Sequence, residues 1–253
     1  MSDWPIGLST GCFFKTNILE CLEPVLKSGF SMVEIVSAPE HLDYRDMNAV
    51  KRTATRIREI GLEAYSFHAP FSDRIDITAP NREHREWSKG EILRAADAAA
   101  TIGVSYLVVH PGPEKGGLDE KDRLYRMENA AGVLDEVARH CVDRRMSLVL
   151  ENMLPHLFMG HVRDLLWMIG AMTVRGTGLC LDTGHALLSG DYISVAEKLS
   201  GHLWMVHAND NRASGDDHLP PGDGHIDWYR LFEEFLKNEF TGTLILELHG
   251  TDD

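Results

Sequence analysis

The stretch LVLENM, residues 148–153, is a short apolar run that ends in a carboxylate and an amide. A nearly continuous apolar run of this length is typical of a strand covered on both faces, as in a parallel sheet. The stretch LCLDTGH, residues 179–185, repeats the pattern with an aspartate and a histidine at its end. The two stretches predict parallel strands whose last residues carry polar side chains.

Similar runs recur along the chain and alternate with segments of helical periodicity. The candidate strands span residues 6–11, 32–36, 63–69, 106–112, 147–153, 178–184, 203–209 and 243–250. The candidate helices span residues 18–28, 47–60, 82–102, 123–144, 162–172, 192–199 and 228–237. Glycines that favour left-handed helix ends follow three of these helices, at Gly29, Gly61 and Gly103.

The alternation of strand and helix predicts an α/β fold of one domain over residues 1–253, closed as a (β/α)8 TIM barrel. Right-handed crossovers between eight parallel strands allow this closure. An open doubly wound sheet is the alternative, but no GxGxxG motif follows the first strand. No linker or low-complexity tract indicates a second domain.

The charge balance disfavours a polyanionic partner. The chain has 25 lysines and arginines against 39 acidic residues, a net charge of -14. Such a surface repels nucleic acid unless basic groups cluster locally, so nucleic acid becomes a weaker candidate without being excluded.

The cysteines and the apolar runs bear on location. Four cysteines without CxxC spacing, Cys12, Cys21, Cys141 and Cys180, favour buried thiols in a reducing compartment. Neither a signal-peptide pattern at residues 1–11 nor an apolar run near the roughly 20 residues of a membrane span is present, so we expect a cytoplasmic protein without membrane contact. A homo-oligomer stays open, although the spacing of Trp167, Met168 and Trp204 favours core packing over an interface.

Polar residues occur where the predicted strands end, and in a β/α barrel all these ends open on one face. The loop after the seventh strand contributes two further candidates, Asp216 and His218, within a segment rich in glycine and proline. We therefore expect one ring of potential ligands: His68, His110, Glu151, Asp182, His185, His207, Asp216, His218 and Glu247.

A bound cation is the simplest explanation for so many carboxylates and histidines in one ring. Uncompensated carboxylates in one apolar mouth repel each other and lose hydration unless a cation joins them. Imidazole together with carboxylate suits zinc, manganese or iron, whereas an all-oxygen set would suit magnesium or calcium. We expect one to three divalent ions per chain, with Zn²⁺ or Mn²⁺ as the best candidates.

The remaining candidates have weaker support. Arg212 could orient a hydroxyl or phosphate of a substrate, and Glu34, at the end of the second strand, is a further candidate for substrate binding. His225 and His249 lie near the site in sequence and stay ambiguous. The other histidines are expected to be structural or exposed: His41, His84, His140, His156, His161 and His202.

Several motifs resemble the xylose-isomerase-like barrel superfamily, which includes sugar isomerases, ketose 3-epimerases, sugar-phosphate isomerase/epimerase-like proteins and the endonuclease IV repair enzymes. They are Glu151-Asn152, the DTGH motif at 182–185, His207 with Asp210, the HLPPGDG loop at 218–224 followed by IDW at 226–228, and Glu247. The resemblance spans nearly the whole chain.

The resemblance implies roles for these residues. In the epimerases, the positions of Glu151, Asp182, His207 and Glu247 hold one metal ion, the two glutamates act as acid and base, and the position of His185 touches the substrate. Endonuclease IV uses the same four positions and adds those of His68, His110, His185, Asp216 and His218, which makes a three-zinc cluster. All nine positions are filled here.

Two reactions follow from the resemblance. One is isomerisation or epimerisation of a sugar or sugar phosphate, with proton transfer by Glu151 and Glu247 through a metal-bound enediolate. The alternative is hydrolysis of a phosphodiester at an abasic site in DNA, as in an AP endonuclease. The acidic charge favours the sugar reaction. A catalytically silent barrel is the third hypothesis, and the filled pair of glutamates argues against it.

Overall fold

The computed structural model describes residues 4–250, and the side chain of Glu120 is not described. The predicted domain limits at residues 1 and 253, and the first three residues of the N-terminal segment, lie outside this range. Within it the chain forms a single closed barrel of parallel strands in the order β1 to β8, with β8 pairing back to β1. The predicted (β/α)8 TIM barrel is therefore confirmed.

All eight strands begin where the apolar runs predict; β2 also ends as predicted, and the other seven end earlier. They are β1 (Ile6–Ser9), β2 (Met32–Val36), β3 (Glu63–His68), β4 (Tyr106–Val109), β5 (Ser147–Glu151), β6 (Gly178–Asp182), β7 (Leu203–Ala208) and β8 (Thr243–Leu246). Beyond these bounds the predicted residues continue into the loops above the barrel or, at Thr183, into a helix. Several candidate ligands are among these residues or directly adjoin them.

The helices cover the outside of the barrel. They are α1 (Ile18–Lys27), α2 (Met47–Ile60), α3 (Arg82–Ile102), α4 (Arg123–Asp143), α5 (Val162–Ala171), α6 (Thr183–Leu188), α7 (Tyr192–Leu199) and α8 (Trp228–Lys237). The six residues of α6 were not predicted as a helix. Gly61 and Gly103, with φ of 72° and 95°, end α2 and α3 in the left-handed conformation that the sequence predicts.

The apolar core has two parts. The larger part lies between the strands and the helices, and it includes Met168, with Trp167 packed against it. A smaller cluster contains one buried residue from each of the strands β3 to β8, with Trp204 packed against it. The expectation that Trp167, Met168 and Trp204 serve the core is confirmed.

Two findings of the structure relate to the expected location, one on the cysteines and one on the helices. All four cysteines are unpaired, and Cys21, Cys141 and Cys180 are buried. Among the helices described between residues 4 and 250, none combines the length and apolar character that crossing a bilayer requires.

Candidate metal centre

The candidate ligands stand directly above the smaller core cluster. Residues i and i+2 of a strand face the same side, so a polar residue two positions beyond a core residue also points into the barrel. Five strand ends follow this rule, with the pairs Val108 and His110, Val149 and Glu151, Cys180 and Asp182, Met205 and His207, and Ile245 and Glu247. The periodicity of the strands therefore brings these ligands to one mouth.

The structure brings the predicted ligands together in three groups, two of which share Glu151 and His207. In each group, one potential ligand atom per residue lies within 4.8 Å of all the others. The groups are His68, Glu151 and His207; Glu151, Asp182, His207 and Glu247; and His185, Asp216 and His218. The ninth predicted ligand, His110, adjoins the first group, because its Nε2 lies 3.4 Å from Oε2 of Glu151.

Glu151 lies at the centre of the arrangement. Its Oε2 is 3.1 Å from Nε2 of His68 and 3.2 Å from Nδ1 of His207. Its Oε1 is 3.8 Å from Nδ1 of His185. The side chain is 1% exposed, so this charge depends on its neighbours for compensation.

Each of the five histidines offers one ring nitrogen to the carboxylates and binds elsewhere with the other. Because the outer nitrogen has its own partner, the inner nitrogen is the one available to bind a metal ion, as in metal-binding histidines with a second hydrogen-bonding partner. The outer partners are the carbonyls of Ala69, Asn152 and Glu247 for Nδ1 of His68, His185 and His218, the carboxylate of Glu114 for Nδ1 of His110, and that of Glu34 for Nε2 of His207.

Buried polar atoms without hydrogen-bond partners converge in the second group. Nδ1 of His207 and Oε2 of Glu247 lie 3.0 Å apart, yet neither makes a hydrogen bond within residues 4–250. Oδ1 of Asp216 in the third group is buried and unpartnered in the same way. Leaving such groups unsatisfied costs about 1–3 kcal/mol each, and a cation bound between them would remove that cost. The residues present therefore fit a divalent metal ion.

The carboxylates raise the pKa values of the histidines around them. Burial alone would lower the pKa of His110, but the negative charge of Glu151 is the main influence that raises it to about 10. Burial would likewise lower the pKa of His218, and Asp216 leads the interactions that raise it to about 10. The centre thus attracts positive charge, and a metal ion would bind by displacing these protons.

The DTGH motif forms the junction between β6 and α6. Asp182 is the last residue of the strand and the N-cap of the helix, where its Oδ1 accepts the backbone N–H of His185 at 2.7 Å. This cap places His185 in the first helical turn, facing the centre. Gly184 is required because a Cβ there would lie 2.1 Å from Oδ1 of Asn209.

Asp210 organises the loop that carries Asp216 and His218. Its backbone forms a two-bond antiparallel bridge with Leu219, with both bonds 2.8 Å long. Its carboxylate accepts hydrogen bonds from the backbone N–H groups of residues 211, 222 and 226 and from Nε1 of Trp228. The closed loop holds His218 at a left-handed φ of 44°. This backbone conformation is strained for a residue that has a β-carbon.

Glu34 is buried and hydrogen-bonded to His207. The residue is fully buried, and its Oε2 accepts the Nε2–H of His207 at 3.0 Å. The hydroxyls of Ser9 and Ser66 donate to the same carboxylate at 3.1 and 2.8 Å. Glu34 is therefore placed to orient His207, and its role in substrate binding stays a prediction.

We expect Glu34→Gln to weaken metal binding without unfolding the protein. The amide keeps the size of the side chain but loses the charge that makes the other nitrogen of His207 a better ligand, and such losses cost about 10- to 100-fold in metal affinity. Competition with a calibrated chelator measures the change. The exposed Glu63→Gln is the matched control, and equal affinity in both variants would contradict the role given to Glu34.

The other candidates lie outside the three groups. The side chain of Arg212 is 61% exposed and its nearest carboxylate is Asp217, at 3.8 Å. His249 packs against the ring of His218 at 4.9 Å, and His225 is exposed. The histidines predicted to be structural or exposed belong to none of the groups; His41, for example, is buried and bonded to the carbonyl of Thr16.

A cavity of about 510 Å³ opens beside the centre and reaches Glu247 and His218. Its wall includes Phe14, Phe71 and Trp87, which are 39%, 48% and 43% exposed. The ring of Phe71 also packs on His68 and His110, with centroid distances of 5.0 and 4.7 Å. The volume suits a small molecule, since such sites commonly measure about 300–1,000 Å³.

Relatives of this chain were found by sequence. A family model described as xylose isomerase-like TIM barrel matches residues 22–253. An uncharacterized protein of Methanocaldococcus jannaschii is 27% identical over 254 residues, which cover 97% of this chain and 84% of the relative. A probable endonuclease 4 of Mycobacterium ulcerans is 28% identical over 187 residues, which cover 70% of each protein.

Solved structures share the fold over almost the whole chain. A D-tagatose 3-epimerase-like protein superposes with a TM-score of 0.85 at 25% identity, covering 97% of this chain and 91% of the other. The IolI protein with a bound zinc atom superposes with a TM-score of 0.82 over 98% of this chain and 90% of the other. At 16% identity, the second likeness concerns the fold alone.

Proposed function

The chain belongs to the xylose isomerase-like TIM barrel family, and we propose that it is a divalent-metal-dependent isomerase or epimerase of a sugar or sugar phosphate. The observation that carries this proposal is the small-molecule-sized cavity that reaches Glu247 of the metal centre. The acidic charge of -14 and the 3-epimerase-like relative support it further.

The cation would be held by Glu151, Asp182, His207 and Glu247, with Zn²⁺ or Mn²⁺ as the expected ion. A divalent ion there supplies Lewis-acid polarisation of a carbonyl and an adjacent hydroxyl. Asp182 and His207 keep their positions through the N-cap contact and the Glu34 hydrogen bond. Their role in this proposal is to hold the ion.

The two glutamates would transfer the proton. One carboxylate removes the proton from the carbon between the carbonyl and the hydroxyl, and the carboxyl group of a glutamate returns a proton to the substrate. Burial would raise the pKa of Glu247, but the charge of His207 leads the interactions that hold it at about 2. Nearby histidines likewise keep the pKa of the buried Glu151 low. Both side chains are therefore carboxylates at neutral pH and can accept a proton.

Phosphodiester hydrolysis is the second candidate. The observation that favours it is the third group, His185, Asp216 and His218, because a single-metal reaction does not require it. Several ions could activate water and clamp the attacking and leaving oxygens of an in-line displacement. The endonuclease 4 relatives support this alternative, whereas the small-molecule-sized cavity and the acidic charge favour the sugar reaction.

The test combines metal content with activity. Elemental analysis of protein purified without chelator gives the ions per chain, and a panel of ketoses, ketose phosphates and a duplex with an abasic site gives the reaction. We expect turnover of a ketose or its phosphate that chelation abolishes and Mn²⁺, Co²⁺ or Zn²⁺ restores. Close to three zinc ions with duplex cleavage and no sugar turnover would contradict the proposal.

We also propose that the protein works in a reducing compartment, the cytoplasm. Three buried, unpaired cysteines, Cys21, Cys141 and Cys180, support this location because buried thiols need no oxidising environment.

A further inference from the structure

The loop after β3 places an arginine on the wall of the cavity. Arg74 lines the cavity together with Phe71, which precedes it by three residues and packs on His68 and His110. Three residues of extended chain span at most about 11 Å, so the backbone of Arg74 is no farther than that from Phe71. The same cavity therefore joins this arginine to the metal ligands Glu247 and His218.

The backbone of Arg74 is anchored, while its guanidinium has no hydrogen-bond or ion-pair partner among the described residues. The N–H of Arg74 donates to the hydroxyl of Ser72 at 3.2 Å, and the Nε2–H of His84 donates to the Arg74 carbonyl at 2.7 Å. No carboxylate between residues 4 and 250 pairs with its side chain. Arg74 is exposed, and in a protein with a net charge of -14 it brings a positive charge to the wall of the cavity, where it favours a negatively charged ligand.

A second guanidinium lies on the same wall. Arg45 lines the cavity and binds Glu91 through Nε and Nη2, at 3.1 and 2.5 Å, which leaves its Nη1 without a partner among the described residues. Glu91 also pairs with Arg94, so this carboxylate neutralises only one of its two arginines. The carboxylates on the wall are Glu247, at the candidate metal centre, and Asp43, whose Oδ1 already accepts the backbone N–H of Arg45 at 2.9 Å.

We propose that the substrate is a phosphorylated sugar whose phosphate monoester is bound by Arg74, with Nη1 of Arg45 as a second donor. The inference rests on the function proposed above, because it assigns the distal group of the same substrate. A phosphate monoester carries a charge of about -1.5 to -2 at neutral pH and several acceptor oxygens. It therefore suits two guanidinium groups better than a ligand with a single carboxylate group would. Phe14, Phe71 and Trp87 give the wall of the same cavity an apolar surface.

The test is calorimetric binding of ribitol 5-phosphate to the metal-loaded protein, with ribitol and ribonate as comparison ligands. Ribitol 5-phosphate has no carbonyl and does not turn over, so binding is measured apart from catalysis. We expect Arg74→Ala to weaken its binding about 10- to 100-fold, in keeping with a hydrogen bond to a charged group. Arg74→Lys should lose less. Arg82→Ala, an exposed arginine that does not line the cavity, is the matched control and should leave binding unchanged.

Several outcomes would overturn the inference. These are no binding of ribitol 5-phosphate by the unaltered protein, equal losses in Arg74→Ala and Arg82→Ala, and an Arg74 effect found with ribonate but not with the phosphate. An effect of Arg74→Ala confined to cleavage of an abasic-site duplex would assign the arginine to nucleic acid instead.

The same experiment separates the inference from the proposed function. Arg74-dependent binding of ribitol 5-phosphate without turnover of any ketose or ketose phosphate would reject the isomerase and keep the phosphate site. Turnover of free ketoses, with ribitol 5-phosphate binding that is independent of Arg74, would keep the isomerase and reject the phosphate site.

Discussion

Glu151→Gln is expected to lower kcat/KM by about 10³-fold or more and to reduce the metal content of the purified protein. A glutamine amide cannot take a proton from carbon, and general-base catalysis contributes about 10²–10⁴-fold by itself. The substitution also removes the charge that faces His68, His110 and His207. Metal loss therefore adds to the loss of the base.

The measurement pairs elemental analysis with steady-state kinetics under saturating metal. Glu128→Gln, an exposed glutamate on α4, is the matched control and should keep both metal and activity. Circular dichroism verifies that the Glu151→Gln chain is folded. Normal turnover in this variant would reject the mechanism with two glutamates, and unchanged metal content together with unchanged ligand affinity would favour a catalytically silent barrel.

Glu247→Gln is expected to abolish turnover, by about 10²–10⁴-fold, while leaving substrate binding largely intact. Glu247 is the more accessible of the two glutamates, with a side chain 17% exposed at the cavity, whereas that of Glu151 is 1% exposed. Glu151, Asp182 and His207 remain to hold the ion. We therefore expect the loss to appear in kcat more than in substrate affinity.

Isotope exchange makes this prediction specific. Suppose that each glutamate transfers the proton on one face of the substrate. The Glu247→Gln variant should then exchange the substrate hydrogen with deuterated solvent on one face only. Glu233→Gln, an exposed glutamate on α8, is the control for the change of charge. A variant that epimerises at the normal rate, or one that loses substrate binding as strongly as turnover, would contradict the role given to Glu247.

The helical bounds show how far local pattern determines structure. Predicted and observed helices differ by at most one residue at either end, because caps and apolar periodicity act within a few residues. The same local signals did not reveal the helix α6. Its N-cap, Asp182, is also the last residue of β6, so no loop residues separate the two elements.

The types of ligand were also predictable from local pattern. Side chains two residues apart on a strand share a face, and all strand ends of a parallel barrel open on one side. These two rules are enough to bring Glu151, Asp182, His207 and Glu247 together, and the structure contains that group. The roles of the residues in catalysis remain predictions until the variants are measured.

The alternation of elements, the closed barrel and the residues of the candidate ligand ring can be read from the sequence, because each depends on periodicities of a few residues. The folded structure was needed to show which nitrogen of each histidine faces the centre, that Glu34 is hydrogen-bonded to His207, and that the cavity joins Arg74 to Glu247. These contacts link distant parts of the chain; the bond from His207 to Glu34 spans 173 positions. A local sequence pattern does not indicate such pairs, because their geometry forms only when the barrel closes.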